Sequence, residues 1–132
     1  MDLNKVMIIG RATTDLDVKK MGESGVSVVN FSVATNRRYK NSEGNTIEEA
    51  EFHRCVAFAG IADTLGKYLE KGKRIYIEGR IRTRKWEDTN GNTRYTTEIV
   101  VENFIFLDSA GNKTSQGQSS EVDKQEDEDL PF

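Results

Sequence analysis

Apolar and polar side chains alternate along most of the first hundred residues. Val29, Phe31 and Val33 are separated by Asn30 and Ser32, which is the pattern of a half-buried β-strand. Five further segments have extended character, and they are residues 6–9, 15–21, 51–58, 74–86 and 94–102. Clusters of Gly, Asn, Asp and Ser separate them, and Asn90-Gly91 is the strongest hairpin signal among these clusters. The pattern predicts a mainly β protein.

The periodicity becomes helical in one place only. Ile61, Leu65, Tyr68 and Leu69 recur at the spacing of a helical stripe that Gly72 ends. Segment 15–21 is the weakest of the extended segments, and the order is strand, strand, strand, helix, strand, strand, which gives five strands with this helix between the third and fourth. That order predicts an all-β fold, the five-stranded OB barrel, since a β-sandwich would have more strands and no such helix. The residues expected to face or close the core late in the chain are Ile75, Ile77, Gly79, Ile81, Thr83, Phe104, Ile105, Phe106 and Leu107.

Composition limits the classes of function. The chain has 132 residues, of which 36 % are hydrophobic, enough for one domain with one core. The longest apolar run, Val6 to Ile9, is too short to span a bilayer, and no secretory signal is visible. The single cysteine, Cys55, fits a reducing compartment, and one His with one Cys cannot form a zinc site. We therefore expect a cytoplasmic protein without membrane contact, cofactor, metal or small-molecule substrate.

Charge divides the chain into a basic and an acidic part. Residues 1–108 hold 17 Lys and Arg against 16 Asp and Glu, whereas residues 109–132 hold 2 against 6. Within the first part, residues 71–94 carry eight basic and three acidic side chains. We predict a folded domain over 1–108, a flexible Ser- and Gly-rich linker over 109–120, and an acidic tail over 121–132.

The strand 74–86 places arginines and a tryptophan on one face. Arg80, Arg82, Arg84 and Trp86 have the same parity, and side chains on one strand face repeat every ~6.6–6.8 Å. That repeat is close to the distance between successive phosphates in an extended nucleic-acid strand. The alternative is a solvated strand face, which Trp86 argues against because such faces seldom carry a tryptophan. We predict that Arg82, Arg84 and Trp86 contact a nucleic acid.

A second strand face combines rings with a cation. Phe52, Arg54 and Phe58 share a parity, and alternation alone would equally allow a core face here. Arg54 disfavours the core, which tolerates a guanidinium group only when it is paired. Tyr39, in the basic segment 37–40, is a fourth candidate ring. Loop tyrosines often have no binding role, so both interpretations of Tyr39 stay open.

Rings and guanidinium groups together suit single-stranded nucleic acid. A base stacks on a side chain only when its face is free, and phosphate contacts add a term that is independent of sequence. No recognition helix or zinc finger for reading a duplex is evident. Two alternatives are an OB module for RNA or another ligand, with a tail that only solubilises, and a small enzyme with an unrecognised site. The strand 74–86 disfavours the enzyme because it supplies no general base.

Several segments resemble the bacterial single-stranded DNA-binding proteins of replication. The most specific are Arg82–Trp86 and the terminus Asp129–Phe132, and the others are Leu3–Val6, Val33–Thr35, Phe52–Arg54, Tyr76–Gly79 and Arg94–Glu98. The resemblance implies base stacking at Tyr39, Phe52, Phe58 and Trp86, and contacts to the DNA backbone at Lys5, Arg54, Lys71, Arg84 and Lys85. It also implies a nucleoid-associated homotetramer of OB domains around which single-stranded DNA wraps. Tyr39 and Phe52 stand where the family often has tryptophan, and the linker is shorter than usual.

The acidic end of the chain is a candidate docking segment. Its carboxylates are followed by two large apolar side chains, and its residues are Asp127, Glu128, Asp129, Leu130, Pro131 and Phe132. An apolar pocket rimmed by Lys or Arg would suit this segment, although many acidic tails serve only solubility. The resemblance implies that replication, repair and recombination enzymes dock there. In the absence of DNA the tail could also occupy the basic groove.

His53 and Cys55 raise the question of catalysis. They lie two residues apart, but no third group that would orient a nucleophile and base is near in sequence, so we predict no enzymatic activity. His53 and Tyr76 are instead predicted to be packed or to lie at a subunit interface.

Overall fold

The computed structural model describes residues 1–108; the predicted linker 109–120 and tail 121–132 lie outside the described residues. The elements are β1 (Val6–Ala12), β2 (Lys19–Met21), β3 (Val26–Lys40), β4 (Thr46–Phe58), α1 (Ala59–Tyr68), β5 (Arg74–Glu87) and β6 (Thr93–Phe106). None of the helices in this part of the chain has the length and hydropathy needed to cross a membrane.

The strands form a closed barrel. They follow the order β1-β5-β6-β4-β3-β2, and β1 also pairs with β3, which joins the two ends of the sheet. The closing contact runs through Arg11 opposite Ala34 and Ala12 opposite Val33. Strand β2 has three residues and, among the strands of residues 1–108, pairs with β3 alone. Without it, five strands remain and α1 lies between the third and fourth, so the predicted OB barrel is confirmed.

The core fills the barrel and reaches α1. Its largest fully buried side chains are Leu65, Leu69, Ile75, Ile77, Val29, Val33 and Cys55. The predicted helical stripe is correct at Leu65 and Leu69 but wrong at Tyr68, which is exposed. The ring of Tyr68 lies at the edge of the core and meets Phe106 edge-on, with centroids 6.1 Å apart.

A bulge in β6 changes which residues face inward. Glu78 pairs with Asn103 whereas Gly79 pairs with Val101, so Glu102 is an extra residue in β6. The bulge shifts the alternation, and Phe104 therefore packs on the same core as Val101. The prediction that all of residues 104–107 complete the core is wrong for Ile105 and Leu107, which are exposed.

The hairpins β3–β4 and β5–β6 extend beyond the barrel. Strand β1 pairs with β5 only as far as Gly79, while β5 and β6 stay paired to Glu87 opposite Thr93. Past Gly79, β5 no longer has β1 as a neighbour, although β6 stays paired with β4 at Ile99 and Val100. The side of β5 that faces the core within the barrel is therefore open to solvent at Ile81. The predicted core positions Ile81 and Thr83 are therefore wrong, and both side chains are exposed.

Both hairpins end in the same kind of turn. The side-chain Oδ1 atoms of Asn41 and Asp88 each accept hydrogen bonds from the backbone N–H groups two and four residues later. Gly44 and Gly91 follow with φ of 85° and 81°, a conformation that glycine adopts without a steric penalty. These turns fix the register of both hairpins, and the register determines which side chains lie opposite each other on the paired strands.

Candidate nucleic-acid interface

One outer face of the barrel collects most of the predicted contact residues. Strands β5, β6 and β4 are neighbours, and β4 joins β6 where Val56 lies opposite Val100. Residues directly opposite each other project to the same side of a sheet. The even-numbered residues of β4, of β5 and of β6 up to Val100, before the bulge, therefore share this face. Six side chains define it, and we call it the aromatic–arginine face: Phe52, Arg54, Phe58, Arg82, Arg84 and Trp86.

Two apolar side chains outside the barrel core lie on the same side of the sheet as the aromatic–arginine face. Val56 and Val100 are buried but do not belong to the barrel core. The guanidinium carbon of Arg82 lies 5.7 Å from the centroid of the Phe58 ring. A cation at this distance from a ring face is attracted to it, so this contact holds two long side chains over the sheet.

Two of the rings on this face are open to solvent. Phe52 is 64 % exposed and Trp86 is 43 % exposed, whereas Phe58 is half-buried. The alternative in which Phe52 packs inside the core is therefore wrong. An exposed ring on a sheet presents the flat surface that stacking on an unpaired base needs.

Glu98 lies between the arginines, and the sequence analysis missed it. Its carboxylate is buried, with 3 % of the side chain exposed, and forms ion pairs with Arg82 and Arg84. Register on the β5–β6 hairpin places Glu98 directly opposite Arg82. The position could have been predicted by counting outward from the turn at residues 88–92.

Two grooves meet at Arg54 and Glu98. One has a volume of about 430 Å³ and is lined by Phe52, His53 and Ile81 in addition to those two residues. The other has a volume of about 340 Å³ and includes Arg84, Thr96 and Ser32. Of the two shared residues, Arg54 is exposed and Glu98 is buried.

Tyr39 lies apart from this face. In the β3–β4 register it pairs with Ile47 and projects to the side opposite Phe52. The Arg37 guanidinium is 4.5 Å from the Tyr39 ring centroid, and the Tyr39 hydroxyl donates to Glu49. Arg37 pairs with Glu49 at 3.1 Å, and the neighbouring Arg38 pairs with an acidic residue in the same way. The basic character predicted for this segment is therefore largely neutralised across the hairpin.

The three predicted lysines lie in three different parts of the structure. Lys85 pairs with Tyr95 on the opposite side of the β5–β6 hairpin from Trp86. Lys5 precedes β1, and its Nζ is 3.5 Å from Glu78. Lys71 is in the turn between α1 and β5. The structure thus unites Arg54, Arg82 and Arg84 with the rings, whereas Lys85 projects to the other side of the hairpin.

The predicted interface residues Tyr76 and His53 occupy different surfaces. Tyr76 lies in a row with Ile9 and Ile105 across β1, β5 and β6, and its hydroxyl donates to Glu78 at 3.0 Å. His53 is hydrogen-bonded to Thr35 Oγ1 at 2.9 Å and lines the larger groove.

Tyr76 and Glu78 shift each other's pKa in opposite directions. Loss of solvation around the phenol raises the pKa of Tyr76, and the bond to Glu78 and its charge raise this pKa further. The hydrogen bond from Tyr76 is the main cause that lowers the pKa of Glu78, with a smaller contribution from the charge of Lys5. The pair is therefore a stable phenol–carboxylate contact at neutral pH.

Cys55 has the surroundings of a structural residue. Burial raises the pKa of its thiol to about 12, which leaves the thiolate scarce at neutral pH. No cluster of three or more His, Cys, Asp or Glu able to hold a metal ion occurs within residues 1–108.

The closed barrel and its open face define an OB-fold protein with a solvent-accessible surface of rings and guanidinium groups. The chain belongs to the single-strand binding protein family, whose sequence profile matches residues 3–107. The family resemblance noted in the sequence is thereby confirmed.

Relatives match over most of the chain. Single-stranded DNA-binding protein 1 of Chlorobaculum tepidum is 45 % identical over 121 residues, which cover 91 % of this chain and 72 % of the relative. The single-stranded DNA-binding protein of Clostridium perfringens is 40 % identical over 89 % of this chain and 73 % of its own. Among solved structures, the Plasmodium falciparum SSB in complex with ssDNA superposes with a TM-score of 0.75 at 36 % identity, covering 82 % of this chain and 97 % of that one.

Proposed function

We propose that this protein binds single-stranded DNA with little sequence preference. Bases stack on Phe52, Phe58 and Trp86, while phosphates contact Arg54, Arg82 and Arg84. Tyr39, Lys5, Lys71 and Lys85 extend the path of the strand over the surface. The observation that carries the proposal is that exposed rings and guanidinium groups share one face of an OB barrel.

The chemistry of this face favours single strands and ignores base identity. Stacking contributes roughly 1–3 kcal/mol per base, and every base offers a ring face. Phosphate contacts are equally independent of sequence and weaken as salt rises. Family membership and the similarity to a structure solved with ssDNA support DNA as the ligand rather than RNA.

The experiment uses Trp86 as an internal reporter. It is the only tryptophan in the chain, so intrinsic fluorescence reports on this one position. Addition of oligo-dT should quench the emission to saturation, whereas the matching duplex dA·dT should quench little at equal concentration. Absence of quenching with binding seen by another method would remove Trp86 from the site. An equal or stronger response to oligo-U would favour an RNA-binding module instead.

We further propose that the functional unit is a homotetramer built partly through an apolar face on β1, β5 and β6. Met7, Ile9 and Ile105 are exposed there around Tyr76. Such a surface on a small barrel is typical of a protein interface. Solution mass should correspond to four chains and should fall in the Met7→Glu variant. Met21→Glu is the matched control because Met21 is an exposed methionine on β2; a monomeric unmodified protein would contradict this part.

The last six residues are proposed to recruit replication, repair and recombination enzymes. The support lies in the sequence, where four acidic residues (126–129) precede Leu130-Pro131-Phe132. Deleting residues 130–132 should abolish capture of such enzymes and leave affinity for oligo-dT equal or slightly higher. Deleting residues 117–119 removes the same number of residues from the linker and serves as the control. If deletion of 130–132 instead abolished DNA binding, the assignment of the tail would be wrong.

A further inference from the structure

A single oxygen atom of Glu98 binds two arginines of the aromatic–arginine face. Arg82 donates to Glu98 Oε2 from Nε at 3.1 Å and also from Nη2, and Arg84 donates from Nε at 3.2 Å. The Glu98 side chain is 3 % exposed, whereas those of Arg82 and Arg84 are 36 % and 49 % exposed. The carboxylate therefore lies beneath its partners, and the guanidinium groups lie between it and solvent.

This arrangement leaves each guanidinium group able to bind a second anion. A guanidinium group has five N–H donors, of which Glu98 uses only part. In Arg84 the contact runs through Nε alone, and in Arg82 it leaves Nη1 out. A phosphate can therefore approach both arginines from the solvent side, where it competes with the carboxylate for their charge.

We propose that Glu98 competes with the phosphates of DNA for Arg82 and Arg84. This competition lowers both the affinity for single-stranded DNA and the salt dependence of binding. The inference rests on the proposed function, since it assumes that Arg82 and Arg84 contact phosphates. In the free protein one negative charge offsets half of the two positive charges. Glu98 thereby keeps the arginines ordered while making their release of DNA easier, which makes it a positioning residue that also sets affinity.

The test compares salt dependence in two charge-neutralising variants. For single strands the slope of log K against log salt changes by about 0.7 for each phosphate neutralised. Glu98→Gln should steepen the slope for oligo-dT by up to about 0.7 and tighten binding several-fold at low salt. Glu102→Gln is the matched control, because Glu102 forms an exposed ion pair with Arg80 at 3.1 Å on the same hairpin. Its slope should equal that of the unmodified protein.

Other outcomes overturn the inference. A slope for Glu98→Gln equal to that of Glu102→Gln, or weaker binding in a folded Glu98→Gln protein, means that Glu98 does not compete with phosphate. Should this variant fail to fold, the Nε–H resonances of Arg82 and Arg84 in the unmodified protein replace it. They should shift on saturation with oligo-dT as the donors move from carboxylate to phosphate, and unchanged resonances overturn the inference. Failure of the unmodified protein to bind oligo-dT instead overturns the proposed function itself.

Discussion

The indole N–H of Trp86 donates a hydrogen bond of 2.8 Å to Thr96 Oγ1 on the facing strand of the β5–β6 hairpin. Thr96 is buried, so the polar edge of the indole is tied to the sheet while 43 % of the residue stays exposed. A ring held in place loses less conformational entropy when a base stacks on it than a freely rotating one does. The bond therefore prepares Trp86 for stacking.

Trp86→Ala should weaken binding of oligo-dT by roughly 1–3 kcal/mol, because it removes one stacking surface. Affinity is measured at fixed salt by anisotropy of a labelled oligonucleotide, since the variant has no tryptophan signal. Tyr95→Ala is the control, as Tyr95 is an exposed ring on the opposite side of the same hairpin. A Trp86→Ala protein that binds oligo-dT as tightly as the unmodified protein would remove Trp86 from the site.

Thr96→Val tests the hydrogen bond itself. Valine keeps the shape of threonine but cannot accept the indole N–H, so the free energy of unfolding should fall by about 0.5–1.5 kcal/mol. Binding of oligo-dT should weaken less than in Trp86→Ala because the ring remains. Thr97→Val is the control, since Thr97 bonds only to the exposed Thr83 hydroxyl among described partners. A Thr96→Val protein as stable as Thr97→Val would contradict the role of this bond.

Much of this face could be predicted from alternation and the hairpin signal. Parity alone placed Arg82, Arg84 and Trp86 together, because β5 and β6 are regular through this region. The buried Glu98 was equally within reach, since pairing outward from the turn sets it opposite Arg82. It was missed because glutamate on a strand is ordinarily a solvent-exposed residue.

Other features depend on contacts that a strand pattern does not contain. Ile81 has the parity of the core residue Ile77, yet it is exposed because β1 ends its pairing with β5 at Gly79. The bulge at Glu102 similarly reverses the inward parity of β6, and no glycine within β6 marks it, since Gly79 lies opposite it on β5. The closed barrel determines where β1 stops pairing with β5 and where the extra residue enters β6. Neither position can be deduced from the alternation within a single strand.

Gly79→Ala should destabilise the fold by about 1–3 kcal/mol through overpacking. Gly79 lies at the β6 bulge, and a Cβ there would overlap the carbonyl oxygen of Val100. Gly60→Ala is the contrasting variant, because a Cβ at that helical position meets nothing within 4 Å. Its free energy of unfolding should be unchanged or higher by up to about 1 kcal/mol, since alanine favours helices. Urea denaturation measures both, and a Gly79→Ala protein as stable as the parent would contradict the close approach.

Cys55 should react with thiol reagents only when the protein opens. Burial raises the pKa of its thiol to about 12, so at pH 8 the folded protein should label far more slowly than the urea-unfolded chain.

The raised pKa of Cys55 also makes the free energy of unfolding depend on pH. The contribution of the neutral thiol is fully present below the pKa of the unfolded chain, ~8.5, and is lost as pH rises toward the folded value. The difference in free energy of unfolding between the parent and Cys55→Ala should accordingly shrink between pH 9 and about 12. Rapid labelling at pH 8 under native conditions, or a difference that stays constant over that interval, would show that Cys55 is not held in the barrel core.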